Sequence, residues 1–273
     1  MLEQPGTYVE VAPGVELYVE ERGSGTPVVF IPGWTFTTEL FEKQMAHFSK
    51  KYRAITYDPR SQGRSSKTAE GNDYSTHGKD LAALLKALDA QGAVLVGWSF
   101  GCLDAWSYVR HEGTGGLKGV VAVDLSPKPL STGEGDWVEG PLDEIAGAYN
   151  TFLLSSKGQR EFVDYYARNV MIQGELSDAQ WFWIIEQSLT TPYYLAALKF
   201  ASGMFSDYRE EAKLVDASLA ALSICAEHWA ETAVPFMKAL CPKTKTAVLG
   251  GHMMFWEHAE KFNAIVDEFL QGL

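Results

Sequence analysis

Short apolar runs alternate with stretches whose apolar residues recur every three or four positions, at both ends of the chain. A parallel sheet covered by helices requires this alternation. VVFI at 28–31, YRAITY at 52–57, AVLV at 93–96, GVVAVD at 119–124, LAALSIC at 219–225 and KTAVL at 245–249 read as buried strands. Ahead of them, TYVEV and VELYVEE flank the turn signal APG and predict an antiparallel hairpin. Helices are expected over 38–50, 77–90, 101–110, 232–240 and 258–270. In the second of these, Leu81, Leu84, Leu85 and Leu88 form one apolar stripe that faces the sheet.

The rhythm breaks at 127–213. SPKPLSTGEGDWVEGP is a turn-rich exit, and the aromatic-rich sequence after it holds helical patterns but no convincing buried strand. The expected organisation is therefore α/β: a mostly parallel eight-stranded sheet with helices on both faces, built from 1–126 and 214–273, with 127–213 inserted as a helical cap.

Composition narrows the function. Lys and Arg total 23 against 35 Asp and Glu, a formal charge of −12, so nucleic acid and anionic membrane surfaces are repelled on average. The opening residues carry glutamates where an export signal has a positive start and an unbroken apolar stretch. No window approaches the roughly 20 apolar residues of a spanning helix. A soluble cytoplasmic protein is expected, monomeric or homodimeric, with no nucleic-acid or membrane partner. Cys102, Cys225 and Cys241 are odd in number and widely spaced, which fits reduced thiols. Neither CxxC nor HExxH occurs, so no metal site or cofactor is expected.

Candidate chemistry centres on VGWSFG at 96–101. It follows the strand AVLV and precedes the helical CLDAWSYV, the strand-turn-helix setting that exposes a serine hydroxyl on a strained turn. Gly97 and Gly101 allow the strand and helix backbones to cross closely. A serine hydroxyl is a poor nucleophile at neutral pH, so Ser99 needs a general base and an acid to orient that base. Of six histidines, His252 in AVLGGHMMFWEH lies on a glycine-rich loop at the C-terminal end of the last strand, the end at which Ser99 also sits. His47 and His258 read as surface or packing residues.

PGW at 32–34, DPRSQGRS at 58–65, GWSFG at 97–101 and GGHMMFWEHAEKFN at 250–263 stand in an order and spacing that resemble the α/β-hydrolase family over essentially the whole chain. The resemblance implies Ser99 as nucleophile, His252 as base, and the backbone N–H groups of Trp34 and Phe100 as an oxyanion hole. For Phe100 there is also a physical case, because the residue after an elbow serine opens a helix whose free N–H groups point toward the nucleophile. Two departures stand out: Pro32-Gly33 replaces a common His-Gly, and Ser61 replaces a glycine. Asp58, Arg60 and Arg64 read as residues that fix their loop.

Three carboxylates compete for the role of acid. Asp124 ends a buried strand, where its charge requires donors or a positive partner, and some family members draw their acid from this strand. Glu227 and Glu231 follow the next strand, near the position more common in the family. Asp124 fits best. The expected activity is hydrolysis of a carboxylic ester or lactone by a serine esterase, carboxylesterase or lactonase without a cofactor, on a small apolar or aromatic substrate. Trp137, Trp181 and Trp183 are candidate walls for that substrate or packing residues of the cap. A cofactor-free dioxygenase, a carbon–carbon bond hydrolase, a perhydrolase and a non-enzymatic ligand receptor are the alternatives.

Overall fold

The computed structural model describes residues 6–130, 133 and 135–273. Its sheet has eight strands: β1 (Thr7–Ala12), β2 (Val15–Gly23), β3 (Pro27–Ile31), β4 (Arg53–Tyr57), β5 (Ala93–Trp98), β6 (Leu117–Val123), β7 (Ala220–Cys225) and β8 (Lys245–Val248). They run in the order β1-β2-β4-β3-β5-β6-β7-β8. The hairpin β1–β2 and the β2–β4 pair are antiparallel. From β4 to β8 every neighbour is parallel, so the C-terminal ends of six strands meet at one edge.

The central strands are apolar at consecutive positions because both faces are covered. Val28 and Phe30 of β3, Val94, Val96 and Trp98 of β5, and Val121 and Val123 of β6 point into one core. Helices α1 (Glu42–Phe48) and α11 (Ala259–Gln271) close that core through Met45, Phe48, Phe262 and Val266. Val29, Ile31, Ala93, Leu95 and Val120 point into the opposite core. There α2 (Tyr74–Ala87) and α3 (Gly101–Glu112) contribute Leu81, Leu84, Leu85, Ala105 and Val109.

Local chemistry moves several helix boundaries from their expected places. α2 starts three residues early because the Asp73 side chain caps it, accepting from Thr76 N at 2.9 Å. The pattern over 38–50 divides into a 3₁₀ turn, Thr38–Phe41, which Thr37 caps, and α1. Ahead of α11 lies a separate short helix, α10 (Met254–Glu257), with His258 between the two.

Between β6 and β7 lie α4 (Leu142–Phe152), α5 (Ser156–Tyr166), α6 (Asp178–Leu189), α7 (Tyr193–Met204) and α8 (Arg209–Ser218). A π-helical turn, Ala167–Met171, extends α5. The last helix, α9 (Ala230–Leu240), precedes β8. Among the described residues no helix is long and apolar enough to cross a membrane, and the three cysteines are free and buried.

Two glycines set how closely β5 and α3 approach. A Cβ on Gly97 would lie 2.6 Å from Gly101 O, and one on Gly101 would lie 2.4 Å from Ile31 O and 2.8 Å from Pro32 O. The start of α3 is thereby pressed onto the loop after β3. Backbone atoms cannot yield as a flexible side chain can, so Gly101→Ala is expected to cost about 2–3 kcal/mol of unfolding free energy, measured by urea denaturation.

Candidate active site

Three loops leave adjacent parallel strands at this edge, and each holds a non-glycine residue in the left-handed region: Thr35 (φ 65°), Ser99 (φ 53°) and Asp124 (φ 55°). Such backbone carries strain that the surrounding structure must hold in place, and strain of this kind clusters at functional sites. Ser99 follows β5 directly, and its N–H donates to Val123 O at 2.8 Å. A Cβ on Gly33 would lie 2.9 Å from the Ser99 Cβ, so the PGW loop lies directly against the serine. Among the described residues no backbone acceptor takes the amide hydrogen of Trp34 or Phe100. Both amides remain available at the edge where Ser99 sits.

Asp124 lies one residue beyond β6, not within it as the apolar run predicts, and its N–H donates to Ile224 O at 2.8 Å. One carboxylate oxygen, Oδ1, accepts the Ala226 N–H at 2.7 Å. The other, Oδ2, is 2.6 Å from His252 Nδ1, and both side chains are about 1% exposed or less. With Nδ1–H donating to the carboxylate, the basic lone pair is on Nε2. That atom is buried and has no hydrogen-bond partner among the described residues, the Ser99 hydroxyl included.

The other two candidate acids are elsewhere. Glu227 is exposed, and its Oε1 accepts from Gly250 N at 3.3 Å while its own N–H donates to Gly250 O at 2.8 Å. It thus ties the loop after β7 to the loop after β8. Glu231 is exposed in the first turn of α9. Neither hydrogen-bonds His252.

His252 is fixed from several sides. Trp98 Nε1 donates to His252 O at 2.8 Å, and the two rings are 5.3 Å apart. The π-helical turn accepts the next backbone groups, His252 N to Val170 O at 3.3 Å and Met253 N to Met171 O at 2.9 Å. Tyr166 meets the imidazole edge-on at 5.6 Å. A second buried pair, His77 Nδ1 and Asp104 Oδ1 at 3.0 Å, lines none of the described cavities. His47 pairs with Asp267 at 2.7 Å, and His258 sits beneath Gly250.

A cavity of about 390 Å³ opens onto Ser99. Its aromatic walls include Trp34, Phe162, Tyr166 and Phe200, and Glu139 and Glu144 supply carboxylates. Of the two readings open for Trp137, Trp181 and Trp183, the structure has packing, and none of the three lines the cavity. Trp137 is buried in the core beneath, Trp181 lies under the Arg168 guanidinium, and Trp183 stacks on Trp256. Glu139 is half-buried and lines the cavity together with Tyr166. Burial pushes its carboxyl up to about 7, with Asp124 adding to the rise while His252 and Tyr166 oppose it.

DPRSQGRS frames the site as a scaffold. Asp58 accepts the backbone N–H groups of Thr38 at 2.7 Å and Arg64 at 2.8 Å, and Arg60 forms a two-point pair with Asp80 at 2.7 Å. Ser61 takes a left-handed backbone (φ 65°) at the position where the resemblance implies a glycine.

Gln62 was not singled out by the sequence, yet it holds the loop that carries the Trp34 amide. Its Nε2 donates to Gly33 O at 3.0 Å and Phe36 O at 2.6 Å. Its Oε1 accepts from Lys199 of α7, whose Nζ also donates to Arg60 O at 3.1 Å.

Lys199 is fully buried, and desolvation pulls its pKa from 10.5 down to about 7. Between those values the unfolded chain binds the extra proton, so this lysine makes stability rise with pH. In Lys199→Met that rise should disappear. The stability deficit of the variant should therefore widen from about pH 7 toward 10.5, read from urea denaturation of both proteins across the range.

A family model for the alpha/beta hydrolase fold matches residues 26–162. A putative non-heme chloroperoxidase from Synechocystis sp. is 26% identical over 94% of this chain and 95% of its own. A bifunctional esterase/perhydrolase from Acinetobacter calcoaceticus is 32% identical, with the match covering 46% of this chain and 47% of its own. Among solved structures, a bromoperoxidase from Bacillus anthracis superposes with a TM-score of 0.88 at 23% identity, over 97% of this chain and 99% of its own. That likeness is one of fold. The sheet order, the strained serine turn and a family match over half the sequence agree, and the chain belongs to the α/β-hydrolase fold family.

Proposed function

We propose that the protein is a serine hydrolase that cleaves a carboxylic ester or lactone of a small apolar or aromatic substrate through an acyl-enzyme. One observation carries the reading: a buried Asp124–His252 pair leaves Nε2 without a partner in a site whose cavity is lined by Ser99 on a strained turn. In this scheme Nε2 takes the Ser99 proton as Oγ attacks the ester carbonyl. The Trp34 and Phe100 amides receive the developing oxyanion, for which preorganised donors are worth several kcal/mol. The imidazolium, held by Asp124, returns the proton to the leaving alkoxide. The same imidazole then activates water, which releases the acid and frees Ser99. The scheme calls on no metal or cofactor. Helices α4 to α7 serve as a cap that shields the acyl-enzyme and presents aromatic walls to an apolar acyl or alcohol part.

The direct test is labelling with a fluorophosphonate probe followed by peptide mass spectrometry. The adduct is expected on Ser99; a protein that is unlabelled, or labelled elsewhere, overturns the assignment.

The name of the Acinetobacter relative favours perhydrolysis as a second reading. Hydrogen peroxide then takes the place of water, accepting the acyl group to give a peracid while Ser99 recovers its proton. Peracid formed from acetate and hydrogen peroxide, set beside ester turnover, separates the two activities.

A further inference from the structure

We propose that the cavity selects esters that carry a cationic ammonium group remote from the reacting carbonyl, and that Glu139 is the residue that recognises this charge. The inference rests on the ester-hydrolase reading of the same site. Besides Ser99, the charged or hydrogen-bonding side chains lining the cavity, among the described residues, are the indoles of Trp34 and Trp98, the latter already donating to His252 O, the phenols of Tyr165 and Tyr166, and the carboxylates Glu139 and Glu144. Among the described residues the lining includes no lysine, arginine or histidine. Glu139 also has no ion pair with a lysine or arginine among the described residues.

A half-buried carboxylate has lost much of its hydration, and an ammonium ion placed beside it restores the missing counter-charge. Aromatic faces add to that preference. Trp34, Phe162, Tyr166 and Phe200 surround the same space, and a cation over such faces gains about 0.5–2 kcal/mol. Phe162 and Tyr166 lie nearly parallel with centroids 6.0 Å apart, and Trp34 meets Phe162 edge-on at 5.7 Å. The wall of the cavity that Glu139 shares thus carries extensive ring surface. Glu144 is exposed on α4, so the cavity is acidic at its outer side as well. A carboxylate-bearing ester meets the opposite environment and is disfavoured at both positions. The position of Glu139 within the field of His252 and Asp124 also keeps the recognised charge close to the reaction centre.

Isosteric substrates test this. The p-nitrophenyl esters of 4-(trimethylammonio)butanoate and 5,5-dimethylhexanoate differ only in N⁺ against C, and the glutarate half-ester supplies a negative charge. Wild type is expected to favour the ammonium ester over its neutral isostere by about 10-fold in kcat/KM, the equivalent of roughly 1.4 kcal/mol. The glutarate ester is expected to be poorest. In Glu139→Gln the first ratio should fall to within about 2-fold of unity.

Binding gives a readout independent of turnover. Phenyltrimethylammonium should protect Ser99 from fluorophosphonate labelling more strongly than its neutral isostere tert-butylbenzene in wild type, and the advantage should be lost in Glu139→Gln. Ester turnover with no charge preference, or a preference unchanged in Glu139→Gln, overturns the specificity assignment and leaves the hydrolase reading intact. Absence of both turnover and Ser99 labelling defeats the hydrolase reading. Calorimetric titration with phenyltrimethylammonium and tert-butylbenzene then decides the charge preference separately.

Discussion

Ser99→Ala is expected to lower kcat for p-nitrophenyl acetate by at least about 10⁴-fold, because the acyl-enzyme route needs the oxygen that the substitution removes. The folded structure should survive. Ser99 is only partly buried, and its left-handed backbone (φ 53°) is set by the strand, the helix and the glycines around it, so alanine inherits the same conformation. Circular dichroism and the urea midpoint should stay close to wild type while turnover is lost. A loss smaller than about 100-fold would remove Ser99 from the nucleophile role, since catalysis by the remaining groups and binding alone is far weaker than that.

The second large effect is expected for Asp124→Asn, a fall in kcat of about 10⁴-fold. In the native protein Oδ2 accepts from His252 Nδ1 at 2.6 Å while Oδ1 accepts the Ala226 N–H at 2.7 Å. An asparagine that keeps its carbonyl toward Ala226 turns its NH₂ toward the imidazole. The ring must then offer Nδ1 as an acceptor, which places the proton on Nε2 and removes the base. Glu227→Gln and Glu231→Gln, both at exposed positions without a hydrogen bond to the imidazole, should stay within about 3-fold of wild type. Steady-state kinetics on the three variants distinguishes the carboxylates. An active Asp124→Asn enzyme alongside an inactive Glu227→Gln enzyme would reverse the assignment.

The strands and the elbow were legible because their signals are local. A strand covered on both faces must be apolar at consecutive positions, as Val94, Leu95 and Val96 are, and Gly97 and Gly101 stand where only hydrogen fits. The pairing of Asp124 with His252 was only partly legible, for it depends on the register between two strands. The Asp124 N–H to Ile224 O bond brings this carboxylate to the Ala226 amide, and no residue count along β7 contains that information. The cavity walls were the least legible part. Helical periodicity marks α5 as amphipathic but does not say which face meets His252. Phe162 and Tyr166 line the cavity, while Trp137, Trp181 and Trp183 follow the packing reading that the sequence also left open. Glu139, in a turn-rich segment, looks like any solvated glutamate until the fold sets it against Tyr166.

The loop after β3 is held by the inserted helices at several points. Trp34 Nε1 donates to Ala196 O at 2.8 Å, Thr35 Oγ1 hydrogen-bonds Ser188 Oγ at 2.5 Å, and Thr37 Oγ1 donates to Gln187 Oε1 at 2.7 Å. Lys199 reaches the same loop through Gln62. A lid that swung away on α6 and α7 would take these fastenings with it and leave the Trp34 amide unsupported at each opening. Traffic of substrate and product is better served by the α4 and α5 side, where Glu144 and Tyr165 border the cavity and neither holds the loop. The enzyme would then work as a vessel with a fixed base and a side port, and the port would set the upper size of what it can admit.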